Sequence, residues 1–288
     1  MPPLGEYILT NTGFSNDKPV ISLSRDDSFV DFNPIGQTLT MAFDTAQRYC
    51  VGWRDITTGV RHACPDSALV ESKYEQCSAC QKRTGFNPAF YHAASVSPQQ
   101  EARNQEPHIL YLAYFGGDLI KVGISHAARG NNRLLEQGAR MAIILDTFPT
   151  AIIARQYEAK IAAMSGICET VATRQKLTAL PTACDADKLR AMLARIRSQL
   201  QVDFNASDVL HHDALFFPNG TPNLATITDV TSQAIASGNI IGSLGSLLVF
   251  TQHDNNFLLP VKKFVGYKVS ITNTIEELDT PAQQMTLF

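Results

Sequence analysis

The stretch HILYLAYFGGDLIKVGIS, residues 108–125, consists of two apolar segments on either side of Gly116 and Gly117. Apolar runs of this length around a glycine pair are typical of a β-hairpin. The second run contains Lys121, although a buried ammonium group is costly unless it finds a partner. The pattern therefore predicts a hairpin in which Lys121 has a chemical role.

The length of the hairpin loop decides whether Lys121 shares a face of the sheet with Tyr111. A two-residue loop would place the two side chains on opposite faces. A three-residue loop, residues 116–118, pairs Ala113 with Lys121 and brings Tyr111, Lys121 and Gly123 to one face, because a shift of one residue turns every side chain over. Only the three-residue loop brings Tyr111 and Lys121 together on one face, where they can form a site.

The residues that follow predict helices carrying charged side chains towards this hairpin. Residues 126–140 can form one helix in which Arg129 and Arg133, four positions apart, lie on the same side. Residues 150–166 predict a second helix that carries Glu158. The residues one turn away from Glu158 on either side are alanines, so the sequence leaves room for another group to approach its carboxylate.

These residues together resemble the GIY-YIG nuclease superfamily. The resemblance rests on Ile109-Leu110-Tyr111, on Lys121-Val122-Gly123, on an arginine in the next helix and on a glutamate in the one after, and it covers roughly residues 108–166. It is closest to a divergent branch with lysine at the second tyrosine position. With the cysteine-rich segment before it and the phrase RLLEQGAR, the chain also resembles a bacterial family of unknown function.

The resemblance implies a metal-dependent nuclease site. It implies that Tyr111 activates or orients a water, that Glu158 binds one Mg²⁺ or Mn²⁺, and that an arginine stabilises the charge developing on the phosphorus oxygens. Arg133 is the first candidate for that arginine because it precedes a leucine as in the family's helix, and Arg129 is the second. The alternatives to a catalytic role are a core aromatic at Tyr111, an ion pair of Glu158 with Arg155 on the helix surface, and a solvated charge at Arg133. Lys121 departs from the best-known pattern: it can accept a proton, hold a phosphate, or lie along the sheet with its ammonium in water.

Four of the six cysteines lie close together in the sequence. Cys50, Cys64, Cys77 and Cys80 follow the spacing C-x13-C-x12-C-x2-C, and the last pair is typical of a zinc knuckle. Four thiolates would leave no open position for water, so the pattern predicts structural zinc. His62 is an alternative ligand in place of Cys64 or Cys50.

The last five residues resemble the motif with which bacterial replication and repair proteins bind the DNA polymerase sliding clamp. Gln284, Met285, Leu287 and Phe288 provide its glutamine, its aliphatic residue and its apolar pair. A short flexible tail with a few anchoring side chains suits a hydrophobic groove. The alternative is that Phe288 docks on the protein's own surface.

Charge is unevenly distributed along the 288 residues, although the formal net charge is only −3. Residues 121–200 contain 12 Lys and Arg against 6 Asp and Glu, whereas the segments before and after are acidic. Such a local excess favours a phosphate backbone as partner, and a solvated helix surface would give the same count. No apolar run reaches the ~18 residues of a membrane span, so we expect a cytoplasmic protein without a membrane partner.

The whole pattern predicts an α+β protein with five segments. These are an N-terminal β-rich segment (1–49), a zinc-binding module and linker (50–106), a GIY-YIG-like domain with a helical extension (107–203), a C-terminal β-rich region (204–280) and a flexible tail (281–288). The expected function is that of a metal-dependent nuclease acting on DNA. The alternative is an inactive zinc-containing nucleic-acid-binding adaptor, and RNA is a further candidate substrate.

Overall fold

A computed structural model describes residues 2–71, 73–85, 96–168, 170–222 and 227–279. Its strands, in chain order, are β1 (Gly5–Ser15), β2 (Lys18–Arg25), β3 (Ser28–Phe32), β4 (Thr38–Arg48), β5 (Trp53–Arg54), β6 (Arg61–His62), β7 (His108–Tyr114), β8 (Ile120–His126), β9 (Met141–Phe148), β10 (Leu210–His211), β11 (Thr228–Asp229), β12 (Ile235–Leu244), β13 (Leu247–Gln252), β14 (Asn255–Pro260) and β15 (Tyr267–Thr272). Its helices are α1 (Ser78–Thr84), α2 (Pro98–Asn104), α3 (Asn132–Gln137), α4 (Ala151–Ala162), α5 (Thr173–Ala179), α6 (Ala186–Leu200) and α7 (Asp213–Phe216). The predicted α+β class is confirmed.

One large sheet joins the two ends of the chain. In the described residues it has nine strands in the order β11-β14-β13-β12-β4-β15-β1-β2-β3. The central strand β4 pairs with β12 and β15 at once, so that Ala42 lies between Ile235 and Ser270. The N-terminal and C-terminal β-rich segments therefore share one sheet and one apolar core.

A smaller sheet carries the hairpin quoted above. Its order is β10-β9-β7-β8, and all its pairings are antiparallel. Every residue of β7 is buried, because helices cover both faces of that strand. Leu110 and Leu112 pack with residues of α4 and α6, whereas Tyr111 and Ala113 pack with Leu134 of α3. Strand β10, after residue 203, also belongs to this sheet.

Helix α3 connects the two sheets. Leu134 packs on the face of β7 that carries Tyr111, and its neighbour Leu135 packs with Phe14 of β1 and Leu244 of β12. Adjacent residues of a helix point in different directions, so this short helix contributes to two cores. Its position fixes the side chains of α3 relative to both sheets.

Two of the predicted local structures differ from the observed ones. Residues 126–140 do not form one helix: a 3-10 turn ends at Arg129, Gly130 has a φ of +47°, and α3 begins at residue 132. In the stretch predicted as a linker, residues 98–104 form α2, which Ser97 caps by accepting a hydrogen bond from the Gln100 amide.

The helix predicted over residues 150–166 is present as α4, and Thr150 caps it. The helix ends at Ala162, short of the predicted stop at Gly166. In the part of the chain that the structure describes, no helix has the length and apolar character needed to span a bilayer.

Candidate functional site

The hairpin has the three-residue loop that the site requires. The Phe115 amide donates to the Leu119 carbonyl at 3.0 Å, and Ala113 pairs with Lys121 as Tyr111 pairs with Gly123. The loop glycines Gly116 and Gly117 have φ values of +109° and +59°, which a side chain would resist. This confirms the predicted register and places Tyr111 and Lys121 on one face.

Tyr111 lies at the bottom of this face with 1% of its surface exposed. Its phenolic oxygen accepts a hydrogen bond from Gln137 Nε2 at 2.6 Å, which leaves the O–H free to donate. Burial raises the pKa of Tyr111, and the nearby charge of Arg133 opposes the rise. The phenol is therefore neutral at physiological pH and suited to orienting a bound group rather than removing its proton.

Lys121 lies next to Tyr111 on the outer strand β8. Burial and the charge of Arg133 lower the pKa of Lys121, whereas Glu158 opposes that change. The segment after α4 runs parallel to β8 here, and the Cys168 amide donates to the Ile120 carbonyl at 2.8 Å. Lys121 is thus held on a covered strand edge, half-buried rather than fully hydrated.

Of the two candidate arginines, Arg133 is the one whose charge influences Tyr111 and Lys121. Its charge affects the pKa values of both Tyr111 and Lys121. Arg129 forms an ion pair with Glu136, and both arginines are 40% exposed. Arg133 also lies 4.0 Å from the Glu136 carboxylate through Nη1. Glu136 therefore ties the two arginines together, although they come from separate helical turns.

Glu158 approaches the pair from α4. Its side chain is 13% exposed and forms an ion pair with Arg155 on the same helix. Its charge raises the pKa of Tyr111 and supports the protonated form of Lys121. The small Ala154 one turn before it is fully buried. The structure thus brings Tyr111, Lys121, Arg133 and Glu158 into one electrostatic neighbourhood, with Arg155 as the present partner of the carboxylate.

Two further residues of this neighbourhood escaped the sequence analysis. Gln137 at the end of α3 binds Tyr111 as described above, and its backbone carbonyl accepts from Lys176 Nζ at 2.6 Å. Lys176 belongs to α5 and lies 4.9 Å from the centre of the Phe115 ring. Burial, with the charges of Lys121 and Arg133, lowers the pKa of Lys176 to about 8. Neither residue has a sequence signal, because a polar residue in a short helix usually faces water.

The second site is the cysteine cluster, separate from the hairpin. The sulfur atoms of Cys50, Cys64, Cys77 and Cys80 all lie within 4.8 Å of one another, and those of Cys64 and Cys77 are 4.0 Å apart. A tetrahedral Zn²⁺ with Zn–S bonds of about 2.3 Å holds its sulfurs about 3.8 Å apart. The four residues could therefore hold a metal ion such as zinc.

Backbone amides within the cluster donate hydrogen bonds to cysteine sulfurs, which favours the thiolate forms that bind a metal ion. The Cys77 amide donates to Cys50 Sγ at 3.2 Å, and a hydrogen bond from the Cys80 backbone lowers the pKa of Cys77. Burial raises the pKa of Cys50 to about 11, a cost that a bound cation would offset. The group of four sulfur atoms does not include His62, whose ring stacks on that of Trp53 with the two centroids 3.9 Å apart.

Both sites fall within one family match. The model of the family described as Protein of unknown function (DUF2797) matches residues 36–269. The chain belongs to this family. No curated protein and no solved structure matches the chain. The family's matched residues include all four cysteines of the cluster and every residue around Tyr111 described above.

The tail motif lies beyond the family match and outside the described residues. Gln284, Met285, Leu287 and Phe288 belong to this part of the chain, so clamp binding remains a prediction from the sequence.

Proposed function

We propose that this protein is a metal-dependent nuclease-like protein of the cytoplasm that hydrolyses phosphodiesters in DNA. The observation that supports the proposal most strongly is the hairpin register, which puts Tyr111 and Lys121 on one face within reach of the charges of Arg133 and Glu158. The order of these residues and the four-stranded antiparallel sheet support a GIY-YIG-like domain.

The chemistry of in-line hydrolysis suits these residue types. A water must be oriented opposite the leaving oxygen, and cations must face the charge that develops on the equatorial oxygens. The phenol of Tyr111 orients that water, Arg133 faces the developing charge, and Lys121 holds the phosphate. Glu158 would hold a Mg²⁺ or Mn²⁺, which supplies charge stabilisation for the leaving oxygen when bound.

The ion pair between Glu158 and Arg155 determines how a metal ion would bind at this carboxylate. A metal ion at Glu158 must share or displace the guanidinium of Arg155. The cation therefore has to compete with a charge already present, which favours an ion that arrives together with the substrate phosphate.

A second candidate function is that of a zinc-containing nucleic-acid-binding adaptor in DNA replication or repair. The replacement of the expected tyrosine by Lys121 favours this candidate, and so does the engaged carboxylate of Glu158. In either function the cysteine cluster provides structural zinc, and the tail recruits the protein to the sliding clamp.

Cleavage assays separate the two candidates. Branched, single-stranded and duplex DNA, with an RNA of the same sequence, are incubated with Mg²⁺ or Mn²⁺ and wild-type protein, Glu158→Ala, or Glu101→Ala on the exposed face of α2 as a control. We expect wild type and Glu101→Ala to cut, and Glu158→Ala to lose about 100-fold or more of the rate. If all three bind DNA equally and none cuts, the adaptor function replaces the nuclease.

A further inference from the structure

Lys176 is a half-buried cation whose described contacts leave its charge uncompensated. Its Nζ donates to one carbonyl, that of Gln137, at 2.6 Å and faces the Phe115 ring at 4.9 Å. Among the described residues, no carboxylate forms an ion pair with Lys176. A partly buried ammonium without a counter-ion is unfavourable, and it calls for either a purely structural reason or an anion.

The surroundings of Lys176 increase that cost. The charges of Lys121 and Arg133 both lower its pKa, so three cations from three different elements repel one another in one place. Most other cations of the basic segment have a local acid: Arg140 pairs with Asp213, and Lys188 pairs with Asp118. Lys121 and Lys176 thus form no ion pair with a carboxylate among the described residues, and Arg133 shares Glu136 with Arg129.

We propose that Lys176, Lys121 and Arg133 form a phosphate-binding subsite beside Tyr111, which takes the non-bridging oxygens of a backbone phosphate in single-stranded DNA. This inference deepens the proposed nuclease function and depends on it for the identity of the ligand. Lys176 is the new member of the site, because it comes from α5, outside the hairpin and the two helices that carry the resemblance.

Gln137 links this lysine to the tyrosine. Its carbonyl holds Lys176 Nζ, and its side-chain amide holds the Tyr111 oxygen at 2.6 Å. One residue at the end of α3 therefore positions a phosphate-binding cation and the group that orients water. Because Gln137 contacts both residues, an anion bound at Lys176 would lie near Tyr111.

A structural role explains only part of the arrangement. The Gln137 carbonyl is one of the last in α3, and a lysine there satisfies it and favours the helix dipole. This role uses one of the three N–H donors of the ammonium. It does not require two further cations nearby, whereas a phosphate, with several acceptor oxygens, uses all three groups at once.

The test measures anion binding without catalysis. Isothermal titration calorimetry in EDTA at low salt uses a thymidine tetranucleotide and, separately, inorganic phosphate. The proteins are wild type, Lys176→Gln, Lys176→Met and, as the control, Lys188→Gln, which removes the same charge from the surface of α6. Lys176→Gln keeps a donor for the Gln137 carbonyl, and circular dichroism verifies that each variant is folded.

We expect the tetranucleotide to bind wild type and Lys188→Gln equally, and both Lys176 variants about tenfold more weakly or worse, which corresponds to about 1.4 kcal/mol. If Lys176→Gln binds like wild type, the lysine only caps α3 and the inference fails. If wild type binds neither probe, it fails as well. If inorganic phosphate alone binds in a Lys176-dependent manner, the proposed ligand is wrong.

The cleavage assay separates this outcome from the fate of the nuclease. If DNA is cut and Lys176→Gln binds and cuts like wild type, the function stands without the subsite. If binding depends on Lys176 and no nucleic acid is cut, the subsite stands and the nuclease does not.

Discussion

Tyr111 and Gly123 face each other across the hairpin so closely that a β-carbon at position 123 would lie 2.5 Å from the tyrosine oxygen. No real contact between these atoms is so short, so the tyrosine occupies the volume that a side chain at position 123 would need. A glycine on this strand is therefore a requirement of the site, whereas most strand positions favour a larger residue.

Gly123→Ala should displace the Tyr111 ring and break its hydrogen bond with Gln137. Overpacking of a buried position costs about 1–3 kcal/mol of unfolding free energy, and nuclease activity should fall with it. Gly13→Ala is the matched control, because its β-carbon would meet only ordinary contacts of 3.5 Å or more. Urea unfolding of both variants checks the stability, and an unchanged midpoint for Gly123→Ala would contradict the tight packing described here.

Cys77→Ser should remove zinc and destabilise the cysteine cluster. Cys77 connects Cys50 through its amide and Cys64 through its sulfur, so its loss leaves three thiols without a common ion. Elemental analysis of wild-type protein should find about one zinc per chain, and Cys77→Ser should have little zinc and a lower melting temperature. Cys168→Ser, outside the cluster, should retain the metal. A zinc-free wild-type protein that is fully stable would remove the metal centre.

The lowered pKa of Lys176 predicts that the free energy of unfolding changes with pH in the alkaline range. Its pKa is lowered to about 8 in the folded chain from the ordinary value of 10.5, mainly by burial and then by Lys121 and Arg133. Between these two values the unfolded chain binds more protons at this residue, so folding gains stability as pH rises from about 8 to 10.5. Below pH 8 the full cost of the buried charge remains.

Comparison of melting temperatures for wild type and Lys176→Met across this range isolates the effect. The difference should shift in favour of wild type as pH rises. Lys188→Met is a control of opposite sign, because its hydrogen bond with Asp118 raises the pKa of Lys188 and its small contribution is lost at high pH. A difference between wild type and Lys176→Met that is independent of pH would show that the lysine is not desolvated.

Deletion of residues 284–288 should abolish capture of the protein by immobilised bacterial sliding clamp and leave DNA binding unchanged. The reason is that the apolar pair Leu287 and Phe288 would fill the groove while Gln284 bonds at its rim. The substitution Phe288→Ala should weaken capture about tenfold or more, as expected for a central anchor. Equal recovery of full-length and truncated protein would rule out the tail as a clamp ligand.

The sequence determined the local structures of this protein. The glycine pair and the flanking apolar runs indicated the hairpin, the threonine before the second helix indicated its start, and the C-x2-C spacing indicated a cluster that Cys50 and Cys64 complete. These features depend on short-range sterics, hydrogen bonding and turn geometry, which a few neighbouring residues specify. The prediction of a single helix around Arg129 was wrong, because the positive φ of Gly130 separates the 3-10 turn that ends at Arg129 from α3.

Tertiary structure decided which distant groups meet. Lys176, Gln137 and Glu136 have no pattern that distinguishes them from surface residues. Packing of α3 against two sheets directs Gln137 and Glu136 towards the site, and α5 brings Lys176 to the Gln137 carbonyl. The large sheet shows the same dependence on distant contacts. Strand β4 pairs with β12 and β15, which lie more than 190 residues further along the chain. Such contacts depend on how apolar faces are buried together across the whole chain, and no local stretch of sequence specifies that arrangement.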